Sequence, residues 1–146
     1  KKAVNQTDYW QQHLKESDVA SWRGIAFEEV CLKHISQIKY ALHIGAVSSQ
    51  ESSLIVKGNE EADGMQIDLL IDRADDVVNV CEMKFYKAPY AVTKGYAQVL
   101  NSRLQALEEK NPTKTFLLTY VGNSELVSNE YSDIFRASVT LDDLFI

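Results

Sequence analysis

The sequence predicts an α/β domain in which helices cover the faces of a mixed β-sheet. Helix-type and strand-type hydrophobic patterns alternate in the order helix, three strands, helix, strand. The first strands are joined by short connections, which favour antiparallel pairing, whereas the later strand follows a helical crossover. A length of 146 residues suits one domain with a substantial core.

The first predicted element is a helix that begins at Ser21, with Ser21 as its cap. Residues 1–20 are polar and weakly patterned, and they are interpreted as a lead-in segment to a domain over 21–146. Apolar residues then recur on one helical face. They are Phe27, Val30, Cys31, Ile35, Ile38 and Leu42.

The middle of the chain predicts three strands. The stretch "IGAVSSQESSLIV" is typical of a strand or hairpin arm, and the turn-rich "KGNEEADG" ends it. Two further strands, "MQIDLLID" and "VVNVCEMKF", flank a turn at "RADD". These strands form the first half of the expected sheet.

The second half of the chain predicts a helix and two more strands. Pro89 marks a break, and residues 91–110 read as an amphipathic helix that ends near "NP". The apolar "KTFLLTYVG" indicates an interior strand covered on both faces. The closing "FRASVTLDDLF" predicts a short strand and a final helical turn.

Composition narrows the class of protein. The formal net charge of -6 argues against a protein that coats polyanions, although a locally positive cleft remains compatible with nucleic acid. No apolar run approaches a membrane span, and the first residues do not form a signal peptide. The two cysteines form no disulfide framework or zinc spacing, which favours the cytoplasm. The missing initiator Met suggests a fragment of a longer protein.

The stretch "VCEMKF" places Glu82 and Lys84 within an otherwise apolar strand. Side chains alternate between the faces of a strand, so Glu82 and Lys84 share one face with Val78 and Val80. In the preceding strand, Ile67, Leu69 and Ile71 share one face. Asp68 lies on the other face, with Leu70 and Asp72. Hairpin pairing of the two strands would bring Asp68 near Glu82.

Two adjacent carboxylates repel each other unless a proton or a cation lies between them. A pair of hard oxygen ligands suits Mg²⁺ or Mn²⁺, with water and a substrate phosphate completing the shell. Lys84 could position the attacking water, neutralise the phosphate or accept a proton. These residue types predict phosphodiester hydrolysis; the alternative is a structural ion pair at a strand end.

Other charged residues have a functional and a structural interpretation. Glu28 lies on the flank of the first helical stripe, where it could approach the sheet or simply cover the core with its methylenes. Lys87 is either a phosphate contact or an exposed lysine. A second Glu-x-Lys triplet, 108–110, ends a helix and is interpreted as surface decoration.

The second helix carries an arginine on its apolar face. Arg103 either forms a salt bridge or projects into a cleft and holds a phosphate, with Tyr96 in support. The predicted stripe consists of Val92, Tyr96, Val99, Arg103 and Leu107. The histidines His13, His34 and His43 have no metal-binding spacing, and His34 is interpreted as a core residue. No Walker loop, nucleophile elbow or dinucleotide fingerprint is present.

The series "GIAFEEV", "QIDLLIDR" and "VVNVCEMKF" resembles the PD-(D/E)xK superfamily of restriction-endonuclease-like nucleases. Asp68, Glu82 and Lys84 match its motif, and Glu28 matches the acidic residue often found on its leading helix. The resemblance implies an α-β-β-β-α-β core and Mg²⁺-dependent cleavage of DNA. Ile67 stands where proline is common in the superfamily.

More narrowly, "SWRGIAFEEVCLKHI", "CEMKFY" and "TLDDLF" resemble the C-terminal domain of prokaryotic and archaeal-type AAA-family ATPases. This resemblance covers about residues 20–146 and implies an ATPase module elsewhere in the parent chain. Two hypotheses follow from it. The first is a DNA nuclease domain, and the second is a catalytically silent nuclease-like fold that binds DNA or regulates the ATPase.

Overall fold

The computed structural model describes the backbone of residues 16–56 and 64–145, and the side chains of 22–55 and 64–145. It contains a five-stranded sheet in the order β1-β2-β3-β4-β5, with helices packed against it. The helices are α1 (Glu16–Lys33), α2 (Ile35–Ala41) and α3 (Lys94–Lys110). The strands are β1 (Ser49–Val56), β2 (Met65–Arg73), β3 (Val77–Lys84), β4 (Thr115–Gly122) and β5 (Ala137–Thr140). Short 3-10 turns span Ser132–Ile134 and Leu141–Phe145.

The sheet is mixed, which confirms the predicted α/β class. β2 pairs antiparallel with both β1 and β3, whereas β4 pairs parallel with both β3 and β5. The helix α3 is the crossover that carries the chain from β3 to the parallel strand β4. The order of the predicted elements, with a helical crossover after three strands, is therefore confirmed.

The start of the first helix differs from the prediction. α1 begins at Glu16, so Ser21 lies inside the helix and is not its cap. Hydrophobic periodicity reports the buried face of a helix, and it does not fix where the backbone first becomes helical. The predicted helix start at Ser21 is therefore wrong, whereas the boundary between lead-in segment and domain stays a prediction; residues 1–15 lie outside the described residues.

The predicted single helix is interrupted at His34. Its backbone leaves the helical region, with φ -121 and ψ 32, and α2 begins at the next residue. The His34 ring nitrogen Nδ1 lies 2.7 Å from the carbonyl oxygen of Val30, and the ring meets Phe145 edge-on. His34 is a half-buried residue at a bend between helices.

Two hydrophobic cores lie on opposite faces of the sheet. The first joins the sheet to α1, α2 and the C-terminal 3-10 turn; its buried members include Phe27, Cys31, Ile38, Leu69, Ile71, Cys81, Val121, Val139 and Leu144. The second joins the sheet to α3; its buried members include Ile67, Val78, Val80, Val92, Ala97, Leu100, Leu107, Leu118, Tyr120 and Phe135. Both faces of the sheet are therefore covered by helices.

Ile67 does not share a face with Leu69 and Ile71 as predicted, because β2 contains a β-bulge. Ser52 pairs with Leu70, but Leu54 pairs with Ile67, so two residues of β2 oppose one residue of β1. The extra residue shifts the alternation by one position. Ile67 consequently packs in the core beneath α3, whereas Leu69 packs in the core beneath α1.

The buried face of α3 differs from the predicted stripe at several positions. Val92 is buried but precedes the helix, and Val99 is 45% exposed. The buried residues of the helix are Ala97, Leu100 and Leu107, of which the predicted stripe contains only Leu107. The helix begins at Lys94, where the Thr93 hydroxyl accepts a hydrogen bond from the Tyr96 N–H at 3.2 Å. Within the described ranges, no helix combines the length and apolar character needed to cross a membrane.

Candidate active site

The hairpin formed by β2 and β3 brings Asp68 beside the Glu-x-Lys motif. Leu69 pairs with Cys81 in the antiparallel register, so the next pair along the hairpin would be Asp68 with Glu82. The Met83 N–H donates a hydrogen bond of 2.9 Å to Asp68 Oδ2. Asp68 is the first of the two bulged residues, and its carboxylate binds the backbone of β3 where regular pairing ends.

Glu82 is a buried carboxylate held by two residues of α3. Its side chain is 4% exposed, and Oε1 accepts hydrogen bonds from the Tyr96 hydroxyl at 2.6 Å and from Arg103 Nη1 at 3.2 Å. The structure thus describes the salt bridge that was one interpretation of Arg103. Direct contact of Tyr96 and Arg103 with nucleic acid stays a prediction.

Lys84 lies over aromatic rings. Its Nζ is 4.3 Å from the centroid of the Tyr96 ring and 5.7 Å from that of Tyr90, which are cation–π distances. Among the described residues it forms no ion pair with Asp68 or Glu82. The structural alternative, in which Lys84 bonds both carboxylates, is therefore not the arrangement found.

Burial and neighbouring charges shift the pKa values of Glu28, Glu82 and Lys84. Burial raises the pKa of Glu82, the Asp68 carboxylate raises it further, and the Tyr96 hydrogen bond and Lys84 oppose the rise. Burial lowers the pKa of Lys84, against the attraction of Glu82 and Asp68. Burial, followed by the charge of Asp68, raises the pKa of Glu28. The charge of Asp68 therefore acts on Glu28, Glu82 and Lys84, and Glu82 and Lys84 also act on each other.

The oxygen donors fit a cation that keeps an open coordination shell. Within the described part of the chain, no three His, Cys, Asp or Glu side chains form a ready-made metal cage. Asp68 and Glu82 supply two carboxylates, and Mg²⁺ is commonly held by one or two carboxylates plus water and phosphate. The chemistry of the pair is compatible with that mode of binding, and the roles of Asp68, Glu82 and Glu28 as metal ligands stay predictions.

An open cleft of about 970 Å³ adjoins Lys84. Its lining includes Arg23 from α1 and the loop that follows β3, where Lys87 is exposed. Sequence reasoning had not identified Arg23, Tyr86 or Tyr90 as site residues. A usable signal was present, because "FYKAPY" places aromatic and basic residues directly after the Glu-x-Lys motif.

Comparisons with known proteins add little to this description. No protein-family profile matches the chain, and no curated protein matches it. Among solved structures, it is similar to AF1548, a protein of unknown function, with a TM-score of 0.46 and 19% sequence identity. The match covers 67% of this chain and 49% of AF1548, so the chain spans about half of that protein's length. Any proposal about function therefore rests on the residues of the site itself.

Proposed function

We propose that this chain is a metal-dependent phosphodiester hydrolase domain that acts on DNA. The observation that carries the proposal is the grouping of Asp68, Glu82 and Lys84 at the end of the β2–β3 hairpin. These residue types in this chain order resemble the PD-(D/E)xK motif. The order α-β-β-β-α-β agrees with the core that the resemblance implies.

Asp68 and Glu82 would hold the cation, Mg²⁺ or Mn²⁺, and Glu28 would assist directly or through water. When bound, the cation would activate a water molecule and offset negative charge on the phosphate. Carboxylate ligands must be deprotonated. The Tyr96 hydroxyl and Arg103 favour the charged form of Glu82 against the cost of its burial.

Tyr96 would orient the Glu82 carboxylate, and Lys84 would transfer a proton. Tyr96 retains its proton because burial and the neighbouring Glu82 raise its pKa, so its hydroxyl remains a donor to Oε1. Lys84 releases its proton more readily than an exposed lysine, since burial lowers its pKa. Lys84 Nζ would then accept the proton of the attacking water as the new P–O bond forms and the bond to the leaving oxygen breaks.

The first test is a calorimetric titration with Mn²⁺ and Mg²⁺ of the wild type, Asp68→Asn and Glu82→Gln. Asp68→Asn keeps an oxygen that can accept the Met83 hydrogen bond but removes the charge. We expect each variant to lose at least about tenfold in affinity for the cation, because an anionic ligand is removed. Glu108→Gln, in the exposed second triplet, is the matched control. Unchanged cation affinity in Asp68→Asn would exclude this site.

The second test separates binding from chemistry. Lys84→Gln should bind the cation and fail to cleave single-stranded and duplex DNA, whereas the wild type cleaves in the presence of Mg²⁺. Full cleavage by Lys84→Gln would remove this residue from the mechanism.

A second candidate function rests on the partners of Glu82. Because Tyr96 and Arg103 already bond its Oε1, and because no metal cage is preformed among the described residues, the site also suits a nuclease-like fold that does not cleave. Such a domain would bind DNA or the ATPase module of a parent chain. The same titration discriminates the two, since a silent domain would not bind Mn²⁺ even at millimolar concentrations.

We also propose a cytoplasmic location. Cys31 and Cys81 are both free thiols in the core beneath α1, and burial raises the pKa of Cys31 to about 12. Unpaired cysteines are typical of proteins in a reducing compartment.

A further inference from the structure

The cleft beside Lys84 combines aromatic rings with positive charge. Its basic and aromatic lining residues are Arg23, Lys84, Phe85, Tyr86, Lys87 and Tyr90. None of the described residues that line the cleft is acidic, although the whole chain has a formal net charge of -6. A basic, aromatic groove in an acidic protein indicates a local site for an anionic ligand with flat apolar groups.

Tyr86 is the outer member of a column of rings. Its ring stacks on Tyr90 with centroids 5.0 Å apart and an angle of 26° between the planes. Tyr90 stacks in turn on Tyr120 at 6.0 Å and 12°. Tyr90 thus covers one face of Tyr86, yet Tyr86 remains 49% exposed. The column ends in a flat aromatic surface that a planar ligand can reach.

The loop that carries these rings is fixed by hydrogen bonds. The Asn123 side chain accepts from the Tyr86 N–H at 3.0 Å and donates to the Tyr86 carbonyl at 2.8 Å. The Val127 N–H donates to the Tyr90 carbonyl at 2.8 Å. The backbone that carries Tyr86 and Tyr90 is therefore held in place before a ligand arrives, which reduces the entropy lost on binding.

We propose that this cleft binds single-stranded DNA, with an unpaired base stacked on Tyr86 and the phosphate backbone following Arg23 and Lys84. The choice of DNA rests on the proposed function. Stacking on a side chain requires a base whose face is not covered by its neighbours, and an unpaired strand provides one more readily than a duplex does. Because Lys84 lines the cleft and also belongs to the candidate active site, a strand bound in the cleft would pass beside that site.

Binding is tested without cleavage, by fluorescence anisotropy in the presence of EDTA. The probes are a labelled thymidine oligomer of about 12 nucleotides, a duplex of the same length and a uridine RNA of the same length. We expect the wild type to bind the thymidine oligomer at least about tenfold more tightly than the duplex. Equal or tighter binding of the duplex would overturn the proposal, and tighter binding of the RNA would overturn the choice of DNA.

The variants test the stacking surface itself. Tyr86→Ala should weaken binding of the thymidine oligomer by about tenfold or more, whereas Tyr86→Phe should stay within about twofold of the wild type. Tyr40→Ala is the matched control, because Tyr40 is 76% exposed on α2 and does not line the cleft. Circular dichroism of each variant verifies folding. Unchanged binding in a folded Tyr86→Ala would overturn the proposal.

The outcome is separable from that of the proposed hydrolase. Suppose that the protein binds the thymidine oligomer tightly through Tyr86 but binds no cation. This result would support the proposal of a DNA-binding cleft and contradict the proposal of a metal-dependent hydrolase. Mg²⁺-dependent cleavage of duplex by a protein that does not prefer the oligomer would retain the hydrolase and overturn the cleft proposal.

Discussion

At the scale of single residues, Glu82 is a charged group whose burial is costly and which depends on its hydrogen-bond partners. A carboxylate removed from water is costly unless hydrogen bonds and opposite charges compensate. Here Arg103 and the Tyr96 hydroxyl both donate to the same oxygen, Oε1, and favour the charged carboxylate. The negative charge of Asp68 disfavours the charged form of Glu82. Such a group is sensitive to the loss of any one partner.

Removal of the Tyr96 hydroxyl should reveal this dependence. We expect Tyr96→Phe to lower the free energy of unfolding by about 2 kcal/mol, because a hydrogen bond to a charged acceptor is lost while the ring is kept. Urea unfolding measures the change. In a double-mutant cycle with Glu82→Gln, the loss should shrink by about 1 kcal/mol or more. Additive effects would show that the hydroxyl does not stabilise the Glu82 carboxylate.

The raised pKa of Glu82 predicts a sign for the pH dependence. Glu82 has a higher pKa in the folded protein than its ordinary value of 4.5 in the unfolded chain. At pH values between these two pKa values, the folded protein therefore binds more protons than the unfolded chain. This contribution to stability is complete below 4.5 and is lost as the pH rises through the folded pKa.

The pH prediction is measured by urea unfolding in EDTA from about pH 4 to pH 7. We expect the stability of the wild type to fall more steeply with rising pH than that of Glu82→Gln. Glu28, whose pKa is also raised, is present in both proteins and therefore cancels in the comparison. Parallel curves for the two proteins would contradict the prediction.

At the scale of elements, the end of β4 depends on a close approach between two of its own residues. A Cβ at Gly122 would overlap the Tyr120 ring, whose hydroxyl donates to the Ser124 carbonyl at 2.6 Å. Tyr120 is fully buried and stacks on Tyr90, so the ring has little room to move aside. The glycine is therefore required by packing in a strand that the sequence pattern predicts correctly.

Gly122→Ala should lower the free energy of unfolding by about 2 kcal/mol or more, because the added methyl group overpacks the core beneath α3. Gly95→Ala is the control, since a Cβ there meets nothing within 4 Å. It should leave stability unchanged or raise it by up to about 0.5 kcal/mol, because alanine favours the helix. Equal effects of the two substitutions, measured by urea unfolding, would contradict this account of β4.

At the scale of the whole molecule, the distribution of charge bears on how the proposed DNA ligand would bind. A chain with a net charge of -6 repels a polyanion over most of its surface, and the cleft gathers Arg23, Lys84 and Lys87. The number of phosphates that can be neutralised is therefore small. The salt dependence of binding measures that number directly.

We expect the logarithm of the affinity for a thymidine oligomer to fall with the logarithm of the NaCl concentration at a slope of about -1.4, as about two contacted phosphates, at Arg23 and Lys84, would give for a single strand. Anisotropy titrations at several salt concentrations provide the slope. Glu108→Gln, outside the cleft, should leave it unchanged. A slope several times steeper would indicate a broad basic surface and contradict a local cleft.

The α/β class, the order of the elements along the chain and the proximity of Asp68 to Glu82 and Lys84 could all be predicted from the amino-acid sequence. Periodicity is a local property, and β3 keeps its alternation so regularly that Val80 and Glu82 share one face as predicted; the structure shows that this face packs against α3. The antiparallel hairpin follows from the short turn between β2 and β3, which also fixes which residues oppose one another.

Features that depend on contacts between distant segments could not be predicted from local sequence patterns. The bulge that turns Ile67 towards α3 arises from the pairing of β2 with β1, and alternation along a single strand cannot reveal it. The partner of Arg103 and the column from Tyr86 to Tyr120 likewise join segments far apart in the chain. Local patterns specify which face of an element is apolar, whereas packing selects the neighbour that each side chain meets.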